Sequence, residues 1–185
     1  IFSAHKNVIA SCERNPVIES FYRYIKWYGL PIDTTGIIEK TMIDIILDWK
    51  SVDTSFVNSP YFSHDIPYIV NHLKPDTIIW GVNDARFTVN SFYNKGWFKD
   101  KITLMNKTKI IGFQPSHKSI HHSFGRIIPN DDFVDEFIEL TRVGKISWIY
   151  NAVNMHIYKD LKTISDVNKF VFKLEDADQN YEYYL

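Results

Sequence analysis

The stretch spanning residues 75–97, PDTIIWGVNDARFTVNSFYNKGW, constrains the fold more than any other part of the chain. A Lys74-Pro75-Asp76 turn leads into Thr77-Ile78-Ile79-Trp80-Gly81-Val82, an apolar run of β-branched and aromatic residues without polar alternation. Such a run predicts a strand buried on both faces of a parallel sheet. After the polar turn Asn83-Asp84-Ala85-Arg86 the spacing changes. Phe87, Val89, Phe92 and Tyr93 recur on one helical face that ends near Gly96. Strand, polar turn and helix make half of a βαβ unit. In parallel sheets ligands lie outside the carboxyl ends of the strands, where helix N-termini offer free N–H groups to anions. Asn83, Asp84, Arg86 and Ser91 fall in that place.

The rest of the chain repeats this alternation. Val8-Ile9-Ala10 reads as a short buried strand, Cys12-Glu13-Arg14-Asn15-Pro16 as a turn, and Pro16 as the first residue of a helix. Ile18, Phe21, Tyr22, Ile25 and Tyr28 keep a helical period until Gly29 and Pro31 close it. Residues 37–49 predict a second amphipathic helix. Phe56-Val57 is a short apolar piece entering Asn58-Ser59-Pro60-Tyr61, and Ile66, Ile69, Val70 and Leu73 mark the next helix. Residues 110–113 read as another strand. The loop 114–126 gathers His117, Lys118, His121, His122 and Arg126. Residues 133–151 predict a helix with Phe133, Phe137, Leu140 and Ile149 inward, and a second helix runs on to about Leu161. Phe170-Val171-Phe172-Lys173-Leu174 is the last strand, followed by Glu175-Asp176. Short buried strands alternating with amphipathic helices predict a three-layer α/β domain around a central, mainly parallel sheet.

Length and composition fit that class. The 185 residues suit one α/β domain or a large part of one, and 45% hydrophobic with 16% aromatic residues can bury a substantial core. A formal net charge of −1 argues against a nucleic-acid coat or a basic membrane-binding surface, while leaving room for a locally basic pocket. Cys12 is the one cysteine, which excludes an internal disulfide and a cysteine-built zinc site and suits a reducing, cytoplasmic setting. No run approaches the roughly 18 apolar residues of a membrane helix. No charged-then-apolar signal segment opens the chain. It lacks a starting Met and stops after Tyr183-Tyr184-Leu185 in what reads as a helix, so a trimmed piece is expected, incomplete at one or both ends.

Residues 75–93 resemble the second phosphate-binding element of the sulfotransferases that use 3′-phosphoadenosine 5′-phosphosulfate (PAPS), FPDAKFIxxxRDPRxxxxSFY. Here that element is Pro75-Asp76-Thr77-Ile78-Ile79, Asn83-Asp84-Ala85-Arg86 and Ser91-Phe92-Tyr93. The family's Arg and Ser, which hold the 3′-phosphate, stand eight apart. Asn83 and Ser91 keep that spacing, with Asn in place of the Arg and Ala85 in place of a Pro. Laid over the family's first loop, GxxRSGTT, Ser11 takes the first Gly and Arg14 the Arg, while Asn15, Pro16 and Val17 replace Ser-Gly-Thr. Without those glycines the backbone approaches a phosphate less closely, and Pro16 removes an N–H donor. Asn58-Ser59-Pro60 is similar to the family's EKSP turn, with Asn58 at the Lys. Phe170-Val171-Phe172-Lys173-Leu174-Glu175-Asp176 is similar to its closing VRYEDL. The resemblance implies a P-loop nucleoside triphosphate hydrolase-like fold across residues 1–185. It also implies PAPS as co-substrate and a small-molecule or carbohydrate acceptor.

Sulfuryl transfer needs a base for the acceptor proton, stabilisation of the negative charge on the moving group, and in-line positioning. It needs no metal, and no ligand spacing here implies one. On the resemblance, Arg14 and Asn15 hold the 5′-phosphosulfate; the plain alternative for Arg14 is a surface arginine paired with Glu13 or Glu19. Asn83, Arg86 and Ser91 hold the 3′-phosphate, although Ser91 could instead bond the backbone one turn back. His64 is the candidate base, with Glu39 and the 117–122 histidines behind it. Each has an alternative as a structural or solvated residue. Tyr22, Phe92, Tyr93, Trp97 and Trp148 are expected in the core rather than stacked on adenine. Cys12 is expected as a small buried residue. A non-catalytic, sulfotransferase-like binding protein is the rival reading, motivated by the losses at the loop glycines, Asn58 and Asn83. Compensation would need Lys6, Arg86 or Lys118 to reach the pocket.

Overall fold

The computed structural model describes residues 8–12, 16–30, 55–99, 126–173 and 175–176. The predicted helix at 37–49, the strand at 110–113 and the histidine loop lie outside them. The chain divides into two compact units, one of Ile1–Lys74 with Gly112–Ile127 and one of Pro75–Ile111 with Ile128–Leu185. Each is mixed α/β and carries one two-stranded parallel ladder. The parallel pairing agrees with the sequence. A single central sheet is not seen among the described residues, whose four strands form two separate pairs.

In the first unit, β1 (Ile9–Cys12) leads to α1 (Pro16–Tyr28), and β2 (Ser55–Asn58) pairs parallel with β1. Pro16 opens α1, where its missing N–H costs no helical bond. Gly29, at φ +59°, closes it. Leu30 N–H reaches back to the Ile25 carbonyl at 3.1 Å and Gly29 N–H to Lys26, the paired bonds of a Schellman ending. A single 3₁₀ turn, Tyr61–His64, then leads into α2 (Ile66–Leu73). Tyr22 is the buried centre of the apolar packing, with Phe62, Tyr68, Ile69 and Leu73 against it.

The second unit begins with β3 (Thr77–Val82) and α3 (Ala85–Asn94). Gly96, at φ +81°, stops α3: Trp97 N–H bonds Phe92 O at 3.1 Å and Gly96 N–H bonds Tyr93 O at 3.0 Å. The Phe92 and Trp97 rings stack at 4.1 Å, supplying the hydrophobic contact that accompanies this ending. α4 (Val134–Glu139) and α5 (Arg142–Thr163) follow, then β4 (Asn168–Lys173), parallel to β3. Edge-to-face contacts run from Phe98 through Phe137, which is 0% exposed, to Trp148. Arg142 ties α5 to the end of α3. Its Nε donates to Trp97 O at 2.6 Å, Nη2 donates to Tyr93 O, and the guanidinium lies 3.9 Å from the Tyr93 ring centre.

Three expectations are corrected. β3 is not buried on both faces: Thr77, Ile79 and Gly81 are exposed while Ile78, Trp80 and Val82 are half-buried, and Ile79 is 43% exposed. Uninterrupted apolar sequence sets strand tendency, but the number of covered faces depends on layers the local sequence does not contain. Phe87 is 65% exposed and Phe133 also points outward, since the buried stripe of each helix is narrower than its apolar residues suggest. The helix break falls at Leu140-Thr141 rather than near Asn151. Thr141 caps α5 by accepting from Gly144 N–H at 3.1 Å, and the helix then runs to Thr163. Among the described residues, no helix is long and apolar enough to cross a membrane.

Candidate functional site

In a parallel ladder the register decides which turns share an end. Cys12 stands opposite Asn58 at the carboxyl ends of β1 and β2. The chain therefore leaves β1 beside the start of the Asn58-Ser59-Pro60 turn. Arg14, Asn15, Glu39 and the 117–122 histidines lie outside the described residues, as do Lys6 and Lys118. Asn58 is exposed at the end of β2.

The residues after Asn58 are fastened to α1 by polar contacts. Ser59 donates to the carboxylate of Glu19, which is buried. Arg23, 6% exposed, sends Nη2 to Pro60 O at 2.7 Å and Ser63 Oγ at 2.8 Å, and Nε to His64 Nδ1 at 3.0 Å. Tyr22 OH donates to Asp65 at 2.6 Å, and Lys26 Nζ pairs with the same carboxylate at 2.9 Å. Burial lowers Arg23 to about 10, still far above neutral pH, so it remains a charged donor. The same burial, helped by Asp65, pushes the Tyr22 phenol well up and keeps it protonated. His64 is 5% exposed and packs edge-on to Trp27 at 5.3 Å. Because a guanidinium can only donate, Nδ1 must accept, and the ring proton sits on Nε2. His64 can accept a proton at Nδ1 only by giving up Arg23.

At the second turn, Asp84 caps α3 by accepting from Arg86 N–H at 2.7 Å, and the Arg86 side chain folds back onto the same carboxylate at 2.7–3.2 Å. The Arg86 fork holds Asp84 down at about 2, and Asp84 in turn raises Arg86. Asp84 N–H donates to the Glu175 carboxylate, and Tyr150 OH donates to Asn83 O at 2.6 Å. Burial first, then the charges of Asp84 and Glu175, raise the Tyr150 phenol. Two N–H groups at this helix start are thus met by carboxylates, one from its own cap, Asp84, and one from Glu175 after β4.

Asn83, Asp84, Arg86 and Ser91 do belong to one turn and helix, but their reach differs from their spacing. Six residues of helix between Ala85 and Ser91 rise about 9 Å. An arginine could span much of that gap from the strand end, whereas asparagine is several ångströms shorter and uncharged. Arg86 is already engaged by Asp84.

Of the aromatics expected in the core, Tyr22 is buried, Phe92, Trp97 and Trp148 are half-buried against other rings, and Tyr93 is exposed beneath Arg142. Glu19, Arg23, Ser63, Glu175 and Tyr150 were not legible as site residues. The one available signal was Glu19 and Arg23 standing four apart on α1 with Tyr22 and Lys26 nearby. Among the described residues no group of three or more His, Cys, Asp or Glu is placed to hold a metal ion. No protein-family model, curated protein or solved structure matches the chain.

Proposed function

We propose that the chain is a sulfotransferase-like protein with a three-layer αβα, P-loop-like fold. It would move a sulfuryl group from PAPS to a hydroxyl or amine of a small molecule or carbohydrate. The observation that carries this reading is the register of β1 on β2. It supports a shared carboxyl end for the turn with Arg14 and Asn15 and the turn with Asn58, as a phosphosulfate-gripping site requires. In the reaction a lone pair of the acceptor forms the new bond to sulfur. The bond from sulfur to the bridging phosphate oxygen breaks, and 3′-phosphoadenosine 5′-phosphate leaves. The acceptor proton passes to a base, His64 in this reading once it exchanges Arg23 for the acceptor. Arg14 and Asn15 would neutralise the 5′ end; Asn83, Arg86 and Ser91 would meet the 3′-phosphate.

A specific observation favours a second reading, a binding protein of the same fold without catalysis. Asp84 and Glu175 supply negative charge at the α3 turn, where the 3′-phosphate would need positive charge. Calorimetric titration with 3′-phosphoadenosine 5′-phosphate, AMP and ATP separates them. Catalysis requires roughly micromolar binding that depends on the 3′-phosphate and weakens in Arg14→Ala and Ser91→Ala. Indifference to the 3′-phosphate supports the second reading. A folded protein that binds none of the three nucleotides overturns both.

A further inference from the structure

The peptide group between Asn83 and Asp84 is held on both sides by side chains from elsewhere in the second unit. Its carbonyl accepts from Tyr150 OH at 2.6 Å, and its N–H donates to the Glu175 carboxylate. The β3–β4 register brings Glu175 there: Val82 stands opposite Lys173, and Asp84 and Glu175 each lie two residues further on. α5 brings Tyr150. Arg142, Ile146, Ile149 and Tyr150 recur at helical spacing and so share one face of α5. Arg142 is tied to the Tyr93 and Trp97 carbonyls at the far end of α3, and Ile146 and Ile149 are the buried residues of α5. Arg142 and Tyr150 stand about 12 Å apart along the helix axis, so α5 grips the α3 segment at both ends.

We propose that Tyr150 and Glu175 are positioning residues that lock the plane of the Asn83–Asp84 peptide, and that Tyr150 thereby sets the reach of the Asn83 side chain. A peptide group is planar, so its N–H and C=O point opposite ways and turn together. Rotating this one to offer its N–H elsewhere breaks both bonds at once. Each such bond shifts an equilibrium by about three- to tenfold. Tyr150 suits the task, because burial, then the charges of Asp84 and Glu175, raise its phenol and keep the hydroxyl a donor through neutral pH. The lock stands on these bonds alone. Its consequence for a ligand rests on the sulfotransferase reading, in which Asn83 meets the 3′-phosphate. A turn that is already fixed gives Asn83 to that ligand without an ordering cost.

Tyr150→Phe tests the lock in the whole chain, because it keeps the ring and removes only the donor. Tyr158→Phe is the control, since Tyr158 lies exposed on the same helix under Lys162. In ¹H–¹⁵N NMR, Y150F should move the Asp84 amide resonance and speed its hydrogen exchange by about three- to tenfold, although the lost bond was on the carbonyl side. Y158F should do neither. An Asp84 amide unchanged in Y150F overturns the proposal. If Y150F does not fold, Glu175→Ala and Glu175→Gln decide. Alanine should speed exchange of the Tyr150 hydroxyl proton, while glutamine, which can still accept from Asp84 N–H, should not. A hydroxyl proton that exchanges equally in E175A and the unaltered chain overturns the lock. The ligand consequence is read by titration with 3′-phosphoadenosine 5′-phosphate and AMP. Y150F should narrow the preference for the 3′-phosphate by about three- to tenfold and leave AMP binding unchanged. A preference that Y150F leaves intact overturns the positioning of Asn83. An unaltered chain that binds neither nucleotide removes the sulfotransferase reading, and the Asp84 amide still decides the lock.

Discussion

Asp84 performs two tasks with one carboxylate, capping α3 through the Arg86 N–H and clamping the Arg86 side chain. Both favour the ionised form, and the side-chain bond to Arg86 is the larger cause of the fall to about 2. Since an ordinary aspartate titrates near pH 3.9, the stabilisation from this cap is complete above about pH 4 and is lost as the pH falls toward 2. A carboxyl ¹³C titration should place Asp84 near 2, and Arg86→Ala should return it toward the ordinary value. A midpoint that ignores Arg86→Ala would show that the fork is not the cause. The sequence revealed Asp84 and Arg86 as turn residues but not their mutual engagement, because a two-residue offset does not say whether a charge faces its neighbour or a ligand. The same limit applied to Arg23. Its burial depends on the 59–65 segment some forty residues away, which no periodicity within α1 encodes.

Helix ends were the most legible elements, for a physical reason. Only glycine enters the left-handed region at little cost, so Gly29 and Gly96 announced stops that the structure places at φ +59° and +81°. A Cβ at Gly96 would meet nothing within 4 Å, so Gly96→Ala tests backbone strain free of clashes. It should lower stability by about 1 kcal/mol in urea unfolding, without changing the slope. A neutral result would mean that the Trp97–Phe92 ending is made by ring stacking rather than by the turn. Helix starts were less legible. The apolar period continues through Thr141, yet its hydroxyl caps the start of α5. Strand faces were legible least, since β3 carries the composition of a doubly covered strand with one face exposed.

For the molecule as a whole, alternation of strands and helices was enough to predict parallel pairing, because a helix between two strands returns the chain to the same end of the sheet. Which strands pair was not encoded locally. β1 finds β2, and β3 finds β4 across more than eighty residues. The functional reading depends on the first of these registers, and the lone cysteine makes it testable. Residues opposite each other in neighbouring strands have Cα atoms within disulfide range, whereas a two-residue offset along the strand exceeds it. Asn58→Cys should therefore form an intramolecular disulfide with Cys12 under mild oxidation, and Phe56→Cys, which stands opposite Ala10, should not. Crosslinking in Asn58→Cys alone is the expected result. A folded Asn58→Cys variant that stays reduced, or equal crosslinking from position 56, would contradict the shared carboxyl end on which the account rests.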